Sequence, residues 1–360
     1  MVDLTSNPRN NNALEFHLLT VVRKEIETKG TVSIYLTIPA KLKDFFTWHS
    51  GQHVQVKLTL DDKQHIRHYS ISSAANTAEL RITVKDSCKG TVSKFINNDL
   101  SISDTLLVSK PKGDFTLCPD NNARNSYYFF CAGSGVTPIF SMISNLLNAE
   151  PESIAYLLYG NPDTKSTIFN QELTELAEKN NSRLIVKHCH SSPSWFEYSP
   201  WRTGRVDSKA VAEFIKCYPP YIQDVQYYIC GPGDFIPIVK MALNEMDVPN
   251  NRIHMESFGP KKAQLKQKSI KANLTVSLNK SQKKLTINSG QTLLSAMKEK
   301  PLSVPFSCES GICGTCRCKL ISGEVTMINN LFLSKEQEQQ GYILACQSLA
   351  ESEEIVISYS

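Results

Sequence analysis

The sequence predicts a multidomain protein: an antiparallel β-barrel, then an α/β domain on a parallel sheet, then a smaller mixed module built around cysteines. Three observations predict it. Up to about residue 117 the chain alternates with period two in short runs, the signature of half-buried antiparallel strands. From Ser126 to Phe258 fully apolar runs alternate with amphipathic helical stretches, as buried parallel strands and their crossovers do. Near the end, Cys308, Cys313 and Cys316 are followed, after twenty-nine intervening residues, by Cys346.

In order, the first region reads as strands Leu18 to Val22, Val32 to Ile38, His53 to Leu60, His68 to Ser72, Glu79 to Lys85 and Leu106 to Lys110, with one helix, Val92 to Asn97. The second reads as strands Tyr127 to Ala132, Ile154 to Tyr159, Arg183 to His188, Val225 to Cys230 and Arg252 to Ser257. Its helices are Pro138 to Asn148, Gln171 to Glu178, Ala210 to Ile215 and Phe235 to Met246. Residues 259–272 carry lysines without an acid and without periodicity, which reads as a solvated linker. Beyond it come a hairpin, Leu274 to Leu278 and Lys283 to Ile287, a helix, Thr292 to Glu299, and a closing strand, Glu354 to Ser358. The expected divisions are 14–122, 123–258, 259–272 and 273–360.

The spacing C-x4-C-x2-C…C is that of a 2Fe-2S cluster held by four thiolates, and the glycines between Cys308 and Cys316 let backbone N–H groups approach the sulfides. A structural zinc site pairs two short C-x2-C knuckles, whereas only Cys313 and Cys316 form one here. Cys318 reads as a buried small hydrophobe, expected to point away from Cys316. The other cysteines of the eleven lie singly, as reduced thiols do, which favours the cytoplasm. A net charge of +4 implies neither nucleic acid nor an anionic membrane as partner, and no run approaches the ~18 apolar residues of a membrane span. The first dozen residues are polar and Asn-rich, unlike a signal peptide.

A one-electron centre needs a source that accepts two electrons and releases them singly, which a flavin does. Arg67-His68-Tyr69-Ser70-Ile71-Ser72-Ser73 supplies a guanidinium for phosphate, an aromatic ring for the isoalloxazine and a hydroxyl close by, although a surface strand has the same residue types. Gly90-Thr91-Val92-Ser93 opens the barrel's helix, where N–H groups could receive a pyrophosphate or the hydroxyls could simply cap. Gly133-Ser134-Gly135-Val136-Thr137-Pro138 is a strand-to-helix turn suited to a dinucleotide, with Pro138 in place of the third glycine of G-x-G-x-x-G. Cys230-Gly231-Pro232-Gly233 ends another parallel strand; Cys230 is either core or a thiol beside a nicotinamide.

Taken in order, Arg67-x-Tyr69-Ser70, Gly90-x-x-Ser93, Lys112-Gly113-Asp114-Phe115, Gly133-x-Gly135-x-x-Pro138, Cys230-Gly231-Pro232, Glu256-x-Phe258 and the four cluster cysteines resemble the ferredoxin–NADP reductase superfamily, in the branch with a C-terminal plant-type ferredoxin domain. Within it, the nearest likeness is to reductase components of bacterial oxygenases. The resemblance implies an FAD-binding barrel, an NAD(P)-binding α/β domain and a β-grasp 2Fe-2S domain. It implies that Arg67, Tyr69, Ser70 and Ser73 hold the flavin, with Ser70 at its reactive edge, and that Lys85, Gly90 and Ser93 contact the pyrophosphate. Gly133, Gly135 and Thr137 would hold NADH or NADPH, Cys230 and Glu256 would stand near the nicotinamide, and Phe258 would cover the flavin. Cys308, Cys313, Cys316 and Cys346 would bind the iron.

The implied enzyme is an NAD(P)H-dependent oxidoreductase that sends electrons through FAD and the cluster to a partner protein. That acceptor is expected to be an oxygenase of the phenylacetyl-CoA epoxidase kind or another monooxygenase; a hybrid-cluster protein, a desaturase and a soluble ferredoxin remain alternatives. An electron carrier or binding module without nucleotide chemistry is the alternative of another class. Where the family has Gly-Asn-Arg this chain has Gly160-Asn161-Pro162. Lys165 and Ser166 could serve a 2′-phosphate and Asp163 would repel one, so the nucleotide preference stays open.

Overall fold

The computed structural model describes residues 15–359 apart from 76, 88, 89, 181, 194–199, 259–268, 279, 280, 301, 303, 307, 308, 310, 312, 313 and 334. In the first region β1 (Phe16–Thr28), β2 (Thr31–Thr37), β3 (His53–Leu60), β4 (Lys63–Ser70), β5 (Glu79–Lys85) and β6 (Thr105–Ser109) form an antiparallel sheet in the order β4-β3-β6-β1-β2-β5, with α1 (Thr91–Asn98) between β5 and β6. A bridge between Ile71 and Ile82 brings the two outer strands together and closes the sheet into a barrel. Alternate residues such as Leu19, Val21, Ile34, Leu36, Val54 and Val56 fill its interior, and Val92 and Ile96 of α1 are buried against them. The strand expected at His68 to Ser72 starts earlier, at Lys63, because Asp61 and Asp62 both take positive φ and turn the chain tightly out of β3.

The second region gives β7 (Ser126–Ala132), α2 (Val136–Ala149), β8 (Ile154–Asn161), α3 (Asn170–Lys179), β9 (Leu184–His190), β10 (Arg202–Thr203), α4 (Ser208–Cys217), β11 (Val225–Cys230), α5 (Phe235–Glu245) and β12 (Ile253–Glu256). All six strands run parallel in the order β10-β9-β8-β7-β11-β12. One core joins the sheet to α2 and α3, and another joins its opposite face to α4 and α5. The chain winds outward from β7 to β10 and returns to β11, so the topological switch lies between β7 and β11. Ligands of open α/β sheets bind at the carboxyl ends of such a pair.

The third region is a β-grasp. β13 (Ala272–Leu278), β14 (Ser281–Ile287), α6 (Leu293–Lys298), β15 (Arg317–Ser322), β16 (Val325–Met327), α7 (Lys335–Gln339), β17 (Tyr342–Leu344), β18 (Ser348–Ala350) and β19 (Glu354–Tyr359) follow in order. The main sheet runs β14-β13-β19-β15-β17, with β13 and β19 parallel, and α6 buries Leu293, Leu294, Ala296 and Met297 on it. Most of the expected linker lies outside the described residues, and β13 begins inside its expected end, at Ala272.

Barrel and parallel sheet are fastened through Arg81 of β5. Its guanidinium, 4% exposed, pairs with Glu172 of α3 at 2.8 Å, donates to the Tyr35 hydroxyl at 3.1 Å and lies over the rings of Phe140 and Phe169. Nearby, the Ser141 hydroxyl of α2 donates to the Ser73 carbonyl at 2.6 Å.

Candidate functional site

A cleft of about 220 Å³ opens where the end of β4, the end of β5, the start of α1 and the turn after β7 meet. Arg67, Tyr69, Ser70, Lys85, Gly90, Ser93, Thr137 and Phe258, all expected from the sequence, line it. Period two puts Arg67 and Tyr69 on one side of β4, opposite His68 and Ser70; the cleft reaches both because it lies at the strand's end. Burial pushes the Tyr69 phenol up to about 12, so it stays protonated at neutral pH. The Arg67 guanidinium donates to the neighbouring Ile66 carbonyl at 2.9 Å.

Ser70 is 6% exposed and its hydroxyl has no hydrogen-bond partner among the described residues. A buried hydroxyl left so is costly, about 1–3 kcal/mol, unless a ligand atom completes it. Gly90 precedes α1, whose start no side chain among the described residues caps. A Cβ on Gly90 would stand 2.3 Å from the Ser87 hydroxyl and 2.4 Å from that of Ser93, so only glycine leaves this approach open. Past Gly90 the groove continues into a second, shallower cavity of about 410 Å³ bordered by Leu60, Lys94 and Phe95. An orphaned hydroxyl, an uncapped helix start flanked by cations and a groove that continues beyond it together fit FAD, whose adenosine needs the second cavity.

Two expected contacts are already engaged. The Ser73 hydroxyl lies outside the cleft and accepts from the Arg81 N–H at 3.1 Å. The Ser93 hydroxyl borders the cleft but accepts from the Ser87 N–H at 3.2 Å and donates to Asp86 at 3.2 Å. Among the residues the motifs did not single out, His68, Thr83 and Ser134 also line it.

The turn after β7, Gly133–Gly135, is a short 3-10 segment that leads straight into α2. Gly133 has a φ of 53°, and its carbonyl accepts from the Tyr159 hydroxyl at 3.0 Å. A Cβ on Gly135 would lie 2.1 Å from the Cys230 carbonyl oxygen, so glycine here lets the start of α2 press against the end of β11. Thr137 donates to the Ser134 carbonyl at 3.0 Å, holding the turn closed. Cys230 is wholly buried in the core shared with α2, and burial holds its thiol well above the usual range.

Glu256 is the partner of Cys230 on the adjacent strand, and its carboxylate stands 3.8 Å from His53 Nδ1. Burial, reinforced by His68 and Lys112, lowers His53 to about 4, so at neutral pH this is a polar contact with a neutral imidazole rather than an ion pair. His53 stacks toward His68 at 5.0 Å, and His68 Nε2 lies 3.1 Å from Gln55 Nε2. Phe258, half exposed, lies at the other side of the cleft. Across the sheet, the Asp163 carboxylate accepts from the Ser166 N–H at 2.8 Å and the Ser166 hydroxyl in turn accepts from the Asp163 N–H, so both cap their own turn.

Of the cluster cysteines, Cys308 and Cys313 lie outside the described residues. Cys316 and Cys346 are both buried in the core of the β-grasp, brought together because the Ala345 N–H donates to the Cys316 carbonyl at 3.2 Å beside the β15–β17 ladder. Cys318 shares that core instead of pointing away: residues two apart on a strand face the same side. Burial pushes its thiol up to about 12. Around the loop, Gly311 and Gly314 have φ of 76° and 72°, and a Cβ on either would collide, with the Asn329 carbonyl at 2.6 Å or the Phe332 ring at 2.3 Å. Among the charges that act on His68 of the flavin cleft are Glu309 of this loop and Lys298 of α6.

Three family descriptions match the chain in succession: an oxidoreductase FAD-binding domain over residues 18–117, an oxidoreductase NAD-binding domain over 129–241 and a 2Fe-2S iron-sulfur cluster binding domain over 276–351. The chain is 31% identical over 355 residues to the ferredoxin reductase component of 3-ketosteroid-9-alpha-monooxygenase from Rhodococcus rhodochrous, covering 95% of this chain and 96% of that one. It is 29% identical over 349 residues to one of the subunits of the 1,2-phenylacetyl-CoA epoxidase of Escherichia coli strain K12, covering 96% and 98%. The solved structure of phthalate dioxygenase reductase, a modular structure for electron transfer from pyridine nucleotides to [2Fe-2S], superposes with a TM-score of 0.61 at 25% identity, over 96% of this chain and 98% of that one.

Proposed function

Because the chain belongs to the ferredoxin–NADP reductase superfamily, in the branch with a C-terminal plant-type 2Fe-2S domain, we propose that it is the reductase component of an oxygenase system. It is an NAD(P)H-dependent oxidoreductase, and its electrons pass by way of FAD and a 2Fe-2S cluster to a separate protein. The partner we favour is a monooxygenase like those served by its relatives. One observation carries the reading: the cleft with the orphaned Ser70 hydroxyl is lined jointly by the end of β4 and by Ser134 and Thr137 at the switch point of the parallel sheet.

FAD, when bound, takes up the two electrons of a hydride together and gives them up one at a time. The chain's part is to place and to insulate. Tyr69 would form one wall for the ring system and Phe258 its cover, while Ser70 offers a hydroxyl to the reacting edge. Arg67, Lys85 and the start of α1 at Gly90 would hold the pyrophosphate. The nicotinamide nucleotide, as substrate, would lie along the ends of β7 and β11 with its phosphates at Gly133, Gly135 and Thr137. Glu256 then stands near the nicotinamide, while Cys230, from below, shapes the floor. Cys308, Cys313, Cys316 and Cys346 are the proposed cluster ligands.

The proposed divisions are 14–122 for FAD, 123–258 for NAD(P), 259–272 as linker and 273–360 for the cluster. Among the described residues no helix is long and apolar enough to cross a membrane. We place the protein in the cytoplasm because clusters of this kind and singly placed thiols belong with a reducing compartment. An anaerobic titration with NADH and with NADPH, following the flavin band and then the cluster bands, tests the function and identifies the nucleotide. Bleaching with neither nucleotide overturns the reading.

A further inference from the structure

We propose that Lys240 is a positioning residue: it ties α5 of the parallel sheet to the segment on which the cluster loop rests, and so holds that loop against the flavin cleft. Lys240 lies on α5 beside Val239 and Leu243, which are buried in the core beneath the sheet. Its ammonium donates to the Leu331 carbonyl, 91 residues further on in the β-grasp, at 2.5 Å. The Leu331 side chain packs against that same core of the parallel sheet. Its N–H donates to the Gly311 carbonyl of the cluster loop at 3.0 Å, and the Asn329 carbonyl presses where a Cβ of Gly311 would stand. Three links therefore join helix to loop: Lys240 to Leu331, Leu331 to Gly311, and Gly311 against Asn329.

An ammonium is an expensive choice for this place. Burial lowers Lys240 from its usual value. Met of similar length would pack there without desolvating a charge. What Met lacks is the donor that fixes Leu331, and with it the loop at Gly311. Electron transfer weakens steeply as its two centres separate, so a strut that fixes the loop matters to the step between flavin and cluster and not to hydride transfer.

The inference rests on the reductase reading, and the test separates the two. Flavin-to-cluster transfer is triggered by photoreduced deazaflavin, independently of any nucleotide, in wild type, Lys240→Met and Lys240→Arg. In Lys240→Met this transfer should slow roughly tenfold or more while flavin reduction by the nucleotide stays within about twofold, and Lys240→Arg should recover most of the rate. In the same Met variant, amide hydrogen exchange at Gly311 and Leu331 should quicken without nucleotide present. Transfer within about twofold of wild type in Lys240→Met overturns the proposal, and so does an equal fall in both rates together with early unfolding, which marks a general structural role. Failure of the reductase reading would show separately, as a wild-type flavin that neither NADH nor NADPH reduces.

Discussion

At Ser70 a single hydroxyl, 6% exposed and without a partner among the described residues, sits where β4 runs out into the cleft. If it completes its hydrogen bond on the reacting edge of the flavin, Ser70→Ala should retain FAD yet slow hydride transfer by about 10- to 100-fold, as loss of one aligned donor does. Stopped-flow flavin reduction under excess nucleotide measures this. His188 gives a prediction about stability instead. It stands 5.8 Å from the Tyr159 ring and 5.7 Å from His190, and burial, then His190 and Lys187, lowers it to about 4. Between pH 6.5 and about 4 the unfolded chain binds a proton there and the folded chain does not, so stability rises with pH through that window and is lost as pH falls. By pH 4 the loss from this one group approaches about 3 kcal/mol. Denaturant melts of His188→Gln against wild type should show a shallower acid slope, and an unchanged slope would mean that His188 is solvated.

At the scale of elements, two close approaches decide how the cleft is built. Gly135 lets α2 meet the end of β11, and Gly135→Ala would drive a Cβ to 2.1 Å from a backbone oxygen that cannot rotate away. A cost of about 2–3 kcal/mol is expected, together with weaker nucleotide binding, both readable from thermal melts with and without NAD(P)H. Arg81 joins β5 to α3, and Arg81→Met should cost about 2 kcal/mol, less than for a fully buried pair because Glu172 keeps contact with water. The order of barrel, parallel sheet and β-grasp was legible because period two, apolar runs and cysteine spacing are local signals. The start of β4 was not: Lys63 to Arg67 are mostly exposed and show no buried alternation. The Glu256–His53–His68 contacts were equally hidden, since three separate strands supply them. Arg67, Tyr69 and Ser70 could be read because their side-chain types, next to one another on one strand, already suggest phosphate, ring and donor. Ser73 had the right type three residues beyond the strand, and the Arg81 N–H had claimed it.

The whole molecule is arranged so that two kinds of chemistry meet at one cleft and then separate. The parallel sheet presents its switch point to one side of the cleft, while the proposed cluster ligands belong to the β-grasp. Electrons that enter as a pair must therefore leave through a different structural unit from the one that admits them. Removing a cluster ligand tests this division without disturbing the cleft: Cys313→Ser should abolish reduction of a one-electron protein acceptor such as cytochrome c while sparing NAD(P)H-driven reduction of ferricyanide, a small oxidant that can reach the flavin directly. The exchange replaces one sulfur by oxygen within the β-grasp, so the barrel and parallel sheet should keep their own cores. The cluster signal should disappear from the electron paramagnetic resonance spectrum while the flavin band remains. Should both activities fall together with the flavin retained, ferricyanide too would be drawing its electrons from the cluster, and the proposed order of flavin first and cluster second would lose its kinetic support.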